Sequence, residues 1–147
     1  MASIGVGSRV RETQVRRNIV FERIVAGVSR TDTARSVGHQ AVELANELGA
    51  DLHLVSSYEP HESKERPVER HLSALLDSLA ASTRGPVQTY LLPGDPAEAI
   101  LQIAGQVDAD LIVVGNKGMQ GTRRVLGSVP NTLTHRSSCS VLVLATT

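Results

Sequence analysis

Residues 113–131, VVGNKGMQGTRRVLGSVPN, gather the residue types that hold a polyphosphate. Gly115, Gly118 and Gly121 follow an apolar run, and Gly127-Ser128-Val129-Pro130 follows a basic stretch with Arg123 and Arg124. Glycine has no Cβ, so a ligand can approach its main chain closely, and positive φ can turn several N–H groups inward. Ser128 is the expected N-cap of a short helix over 128–136, and Pro130 is tolerated in its first turn. The N–H groups of such a turn lack intrahelical acceptors and attract anions. Lys117, Arg123 and Arg124 would add positive charge. The plainer alternative is a Gly-x-x-Gly that only punctuates a strand end. A Walker A loop is excluded, because it needs four residues between glycines followed by Gly-Lys-Ser/Thr. Gly5-Val6-Gly7 lacks a third glycine and follows no strand, so it is not a dinucleotide fingerprint.

Other chemistry finds little support. His39, His53, His61, His71 and His135 show neither metal-ligand spacing nor a nucleophile–base pairing. Cys139, opening the last strand, reads as a small buried thiol, and Ser128 is explained better by capping and phosphate contact than by nucleophilic attack. Asp108 and Asp110 precede the strand that leads into the glycines, so they belong at its far end.

Alternating strands and helices position the glycine segment. RIVAGV is a short apolar run, and DLHLVSSY and GPVQTYLLPG read as the second and third strands. ADLIVVG is continuous enough to be buried on both faces, and SVLVLATT closes the chain. Between the first two strands, Thr31 or Asp32 caps a helix with Ala34, Val37, Ala41, Leu44, Ala45 and Leu48 at helical spacing and Gly49 as its stop. Leu72, Leu75, Leu76 and Leu79 share a second helical face, and Asp95-Pro96 opens a third helix. The fold expected is α/β: an open five-stranded parallel sheet with helices on both faces. Such sheets bind ligands beyond the carboxyl ends of strands where the strand order reverses, here after the first and fourth strands.

The 147 residues fit one domain, read as residues 21–147 behind an N-terminal arm over 1–20 that lacks core-like periodicity. Only three residues are aromatic, so the core must be aliphatic. Fifteen basic residues balance fifteen acidic ones, which argues against nucleic acid as the main partner. No apolar run approaches the ~20 residues that span a bilayer, so no membrane partner is expected. A single cysteine fits a reduced, cytoplasmic setting.

VVGNKGMQGTRRVLGSVPNTLTHRSSCSVLVLA resembles the C-terminal signature of the universal stress protein family, a strand followed by Gly-x2-Gly-x9-Gly-Ser/Thr. RIVAGVSRTDTARSVGHQAVELA is similar to that family's opening strand and helix, and PGDPAEAIL to its Gly-x-Pro turn. The resemblance implies a Rossmann-like, adenine nucleotide alpha hydrolase-like fold with a site for ATP or AMP, and Mg²⁺ would accompany ATP. It implies that Gly115 and Gly118 line ribose and phosphates, that Gly127 and Ser128 hold the terminal phosphates, and that Val129 follows them in the same turn. Val114 lies on the strand beneath, Ser57 where the second strand meets the adenine, and Gly27 and Val28 next to the base. It also implies a homodimer through the last strand, with a regulatory role toward protein partners. Two positions depart from the pattern. Eight residues, not nine, separate Gly118 from Gly127, and Ser29-Arg30 stands where nucleotide-binding members have an Asp and then a glycine. A non-binding dimeric adaptor and a weak ATPase are the competing readings.

Overall fold

A computed structural model describes residues 20–30, 37–60, 66–116 and 126–146. Residues 1–19 of the arm, Thr31, Asp32, Ala34, His61, Lys117, Gly118, Gly121, Arg123 and Arg124 lie outside the described residues. Among the described residues, five strands alternate with four helices: β1 (Arg23–Gly27), α1 (Val37–Leu48), β2 (Asp51–Tyr58), α2 (Arg66–Ala81), β3 (Val87–Pro93), α3 (Pro96–Val107), β4 (Leu111–Asn116), α4 (Ser128–Arg136) and β5 (Ser140–Ala145). The strands form one sheet in the order β3-β2-β1-β4-β5, and every neighbouring pair is parallel. The order reverses between β1 and β4, which makes their carboxyl ends the switch point of the sheet.

Side chains alternate across the sheet with period two. Ile24, Ala26, Leu52, Leu54, Leu111 and Val113 meet Val37, Ala41 and Ala45 of α1 and Leu76 and Leu79 of α2. Val25, Val55, Ile112 and Val114 meet Ala97, Ile100 and Ile103 of α3 and Leu133 of α4. Helices therefore cover both faces. Ile24, Val25, Ala26, Ile112 and Val113 are fully buried. Each large one contributes about 1.5–3 kcal/mol by leaving water, so the sheet centre is the rigid base of the switch point. Gly38 lets α1 meet α2 closely, since a methyl there would stand 2.6 Å from Leu79 Cδ1.

Local signals explain the helix ends. The Asp95 side chain accepts the Glu98 N–H at 3.0 Å, and Pro96 opens α3. Gly49, with φ of 67°, ends α1 as a left-handed cap. At the amino end of the sheet, the Asp110 carboxylate accepts the N–H groups of Glu22 and Arg23 at 2.8 and 3.0 Å. Cys139 differs from the expectation: it is half-buried and precedes β5. Burial first, then the Asp110 carboxylate, push its thiol pKa up.

Candidate functional site

A cavity of about 580 Å³ opens at the carboxyl edge of the sheet across the β1/β4 switch point. That volume suits a small-molecule ligand. From the loop after β1 come Val28, Ser29 and Arg30; from the end of β2 and beyond it come Ser57, Tyr58 and Glu59. Gly115 and Asn116 end β4, Gly127 to Pro130 open α4, and Thr146 follows β5. Val37, Val55, Leu72, Pro96, Ile100 and Val114 supply apolar wall. Of the ten residues singled out from the sequence, Gly27, Val28, Ser29, Ser57, Val114, Gly115, Gly127, Ser128 and Val129 all line this cavity. Gly118 lies outside the described residues.

The end of β4 is tied to the start of α4 by one side chain. Asn116, only 4% exposed, accepts the Gly127 N–H on Oδ1 at 2.8 Å. Its backbone carbonyl accepts the Thr146 N–H at 3.3 Å, joining the end of β5 to the same corner. Gly127 has φ −64° and ψ 170°, and its carbonyl accepts the Asn131 N–H at 2.9 Å. Gly127 is therefore the N-cap, where the sequence points to Ser128; no side chain caps α4. The Gly127 N–H already belongs to Asn116 and Pro130 has no N–H, so Ser128 and Val129 carry the first-turn donors without intrahelical acceptors. Both residues line the cavity. Two backbone donors and a hydroxyl at a helix N-terminus form an anion cradle.

The glycines act through space rather than positive φ. Among the described residues only Gly49 and Gly94 are glycines with positive φ, so Gly27, Gly115 and Gly127 do not turn the chain in the way their type suggests. A methyl on Gly115 would stand 2.5 Å from Val37 Cγ2 and 2.9 Å from Thr146 Cγ2. One on Gly27 would stand 2.6 Å from Ile100 Cδ1, and one on Gly127 3.0 Å from Asn116 Oδ1. Close packing of β4 against Val37 and Thr146 therefore favours glycine most strongly at position 115, while Gly27 meets the flexible end of Ile100 and Gly127 fits tightly against Asn116.

Ser56, beside the cavity, is buried and donates its hydroxyl to the Val28 carbonyl at 2.6 Å, while the Val28 N–H bonds the Val55 carbonyl at 2.8 Å. These two bonds fix the loop after β1. Among the described residues, Arg30 and Glu59 are the charged groups that line the cavity. Neither Asn116 nor Glu59 stands out in the sequence; the only signal is their position at the carboxyl ends of strands. The described histidines lie elsewhere: His135 Nδ1 is 2.7 Å from the Asn131 carbonyl in its own helix. His53 lies 2.9 Å from the Tyr90 hydroxyl, which donates to Gln88 Oε1 at 2.6 Å. Burial, opposed by Asp51 and assisted by Arg23, lowers the His53 pKa. No cluster of three His, Cys, Asp or Glu suited to a metal occurs among the described residues. No helix among them is long and apolar enough to cross a membrane.

The profile of the universal stress protein family matches residues 21–145. A universal stress protein of Thermus aquaticus is 31% identical over 136 residues, covering 85% of this chain and 99% of that protein. One from Mycobacterium tuberculosis is 27% identical over 146 residues, covering 86% and 98%. A universal stress protein crystallised in complex with cAMP superposes with a TM-score of 0.69 at 29% identity, covering 87% of this chain and 99% of that one. The chain belongs to the universal stress protein family.

Proposed function

We propose that this protein binds an adenine nucleotide, ATP or AMP, in the cavity at the switch point, as a regulatory ligand in a stress response or signalling role. The observation that carries the reading is the meeting of the Ser128 and Val129 N–H groups with an apolar wall in one cavity of about 580 Å³. The phosphates lie at the start of α4, and the base lies toward β2 and the Gly94–Pro96 turn. From β4 to β2 is two interstrand steps, roughly 10 Å, a span that a nucleotide bridges. The complex of a 29% identical relative with cAMP supports the same ligand class. Ser57, Val28 and Gly27 are assigned to the base side, and Val114, Gly115, Gly127, Ser128 and Val129 to ribose and phosphates. Ser29 brings a neutral hydroxyl to the loop after β1. Glu59 is the one carboxylate among the described lining residues, so Mg²⁺ arriving with ATP would be held mainly by the phosphates and water.

Calorimetric titration with ATP and AMP tests this reading. The expected result is micromolar binding by the wild type and none by Gly127→Val, whose side chain starts 3.0 Å from Asn116 Oδ1 and obstructs the cradle. Absence of binding at millimolar nucleotide would refute it in favour of a dimeric adaptor.

The same reading includes a cytoplasmic homodimer formed through β5. This strand is at the sheet edge, and its Leu142 is 38% exposed. An apolar strand edge is a surface for pairing with a second copy.

A further inference from the structure

We propose that Arg30 reads the phosphate and makes the site selective for an open, doubly charged phosphate over a cyclic phosphate or an uncharged nucleoside. The inference rests on nucleotide binding in the cavity and assigns the residue that sets its specificity.

Among the described residues, the charged groups that line the cavity at the carboxyl edge stand in a definite order. Glu59 follows β2, Arg30 follows β1, and the N-terminus of α4 follows β4, with β1 between the other two. The edge thus runs from carboxylate through guanidinium to helix N-terminus. A nucleotide with its phosphate toward α4 and its base toward β2 brings that phosphate under the pull of the central cation and of the N–H groups of Ser128 and Val129. Arg30 is exposed and lines the cavity. The loop that carries it is anchored two residues earlier by the hydrogen bonds of Val28, from Ser56 Oγ and to the Val55 carbonyl.

The discrimination follows from charge and shape. A terminal phosphate monoester carries about −1.5 to −2 at pH 7, and a guanidinium can grip two of its oxygens at once. A cyclic phosphate is a diester with a single negative charge, and adenosine has none. A hydrogen bond to a charged group is worth about ten- to a hundredfold in affinity, the lower end applying to an exposed side chain such as Arg30, which contributes it chiefly to AMP.

Wild type, Arg30→Ala and Arg30→Lys are titrated with AMP, cyclic AMP and adenosine. Arg30→Ala is expected to weaken AMP about tenfold, cyclic AMP less and adenosine not at all, so that the preference for AMP collapses. Arg30→Lys, a point charge without the planar fork, recovers part of the loss. Unchanged thermal unfolding of both variants shows that the effect belongs to the site. Equal weakening of all three ligands, or none, overturns the assignment while leaving nucleotide binding intact. Failure of the wild type to bind any of them sinks this inference together with the function on which it rests.

Discussion

Asn116→Ala tests the corner on which the anion cradle rests. The side chain is 4% exposed and its Oδ1 accepts the Gly127 N–H at 2.8 Å. Removing the acceptor strands a donor, which costs about 1–3 kcal/mol when fully buried. Gly127 is only half-buried, so water entering from the cavity can satisfy part of that demand. The loss should therefore lie in the lower half, about 1–2 kcal/mol. For a chain of this size each kcal/mol shifts Tm by roughly 2–4 °C, and urea unfolding should report the same loss as a lower midpoint with an unchanged slope. Untethering Gly127 also frees the first turn of α4, so AMP should bind about tenfold more weakly, equivalent to about 1.4 kcal/mol of lost preorganisation. Asn116→Asp separates the two effects: it keeps an oxygen acceptor but sets a negative charge beside the proposed phosphate, so AMP binding should fall further than in the alanine variant. Wild-type stability and wild-type AMP affinity in Asn116→Ala would refute the reasoning.

Other expectations follow from single contacts. Gly115→Ala should destabilise by about 1–3 kcal/mol, because the new methyl meets the stiff side chain of Val37 at 2.5 Å; Gly27→Ala should cost less, since its closest contact is the flexible end of Ile100, and denaturant titration ranks the two. Asp95→Ala removes the cap of α3 and should cost about 1 kcal/mol, read by the same titration. The folded-state pKa of His53 is lowered, so the unfolded chain binds its proton first: stability should be full above about pH 6.5 and decline as pH falls from there through the folded pKa. His53→Gln should remove that part of the slope in unfolding measured against pH. Leu142→Lys puts a charge on the β5 edge through which the homodimer is proposed to form and should shift sedimentation toward the monomer.

The architecture is legible in the sequence because each element carries its own period and punctuation. An unbroken apolar run through Leu111, Ile112, Val113 and Val114 marks β4 as a strand covered on both faces. Asp95-Pro96 and Gly49 mark helix ends with residues whose chemistry acts within a few positions. The candidate site is legible where chain position and motif suffice: Gly27 and Gly115 end the strands flanking the reversal, Val28 to Arg30 follow the first of them, and Gly127 to Val129 open the helix after the second. Asn116 is not legible, because its partner is eleven residues away and an amide at a strand end announces no acceptor. The same limit explains the misplaced cap. Ser128 is the better capping residue by type, yet Gly127 is the N-cap: its carbonyl takes the Asn131 N–H while its own N–H is held by Asn116. Residue type alone explains the glycines by backbone freedom, whereas Val37, Thr146 and Ile100, distant in sequence, set the need for them.

Nucleotide binding as proposed places a phosphate at the first turn of α4. The most direct test is a titration of ¹⁵N-labelled protein with AMP, following the backbone amides by NMR. A phosphate seated there should give large shifts at Ser128 and Val129, with smaller ones at Gly115 and Ser57 and none at the Asp110 staple across the sheet. Saturating AMP that leaves the Ser128 and Val129 amides unmoved, or that moves amides elsewhere instead, would contradict it.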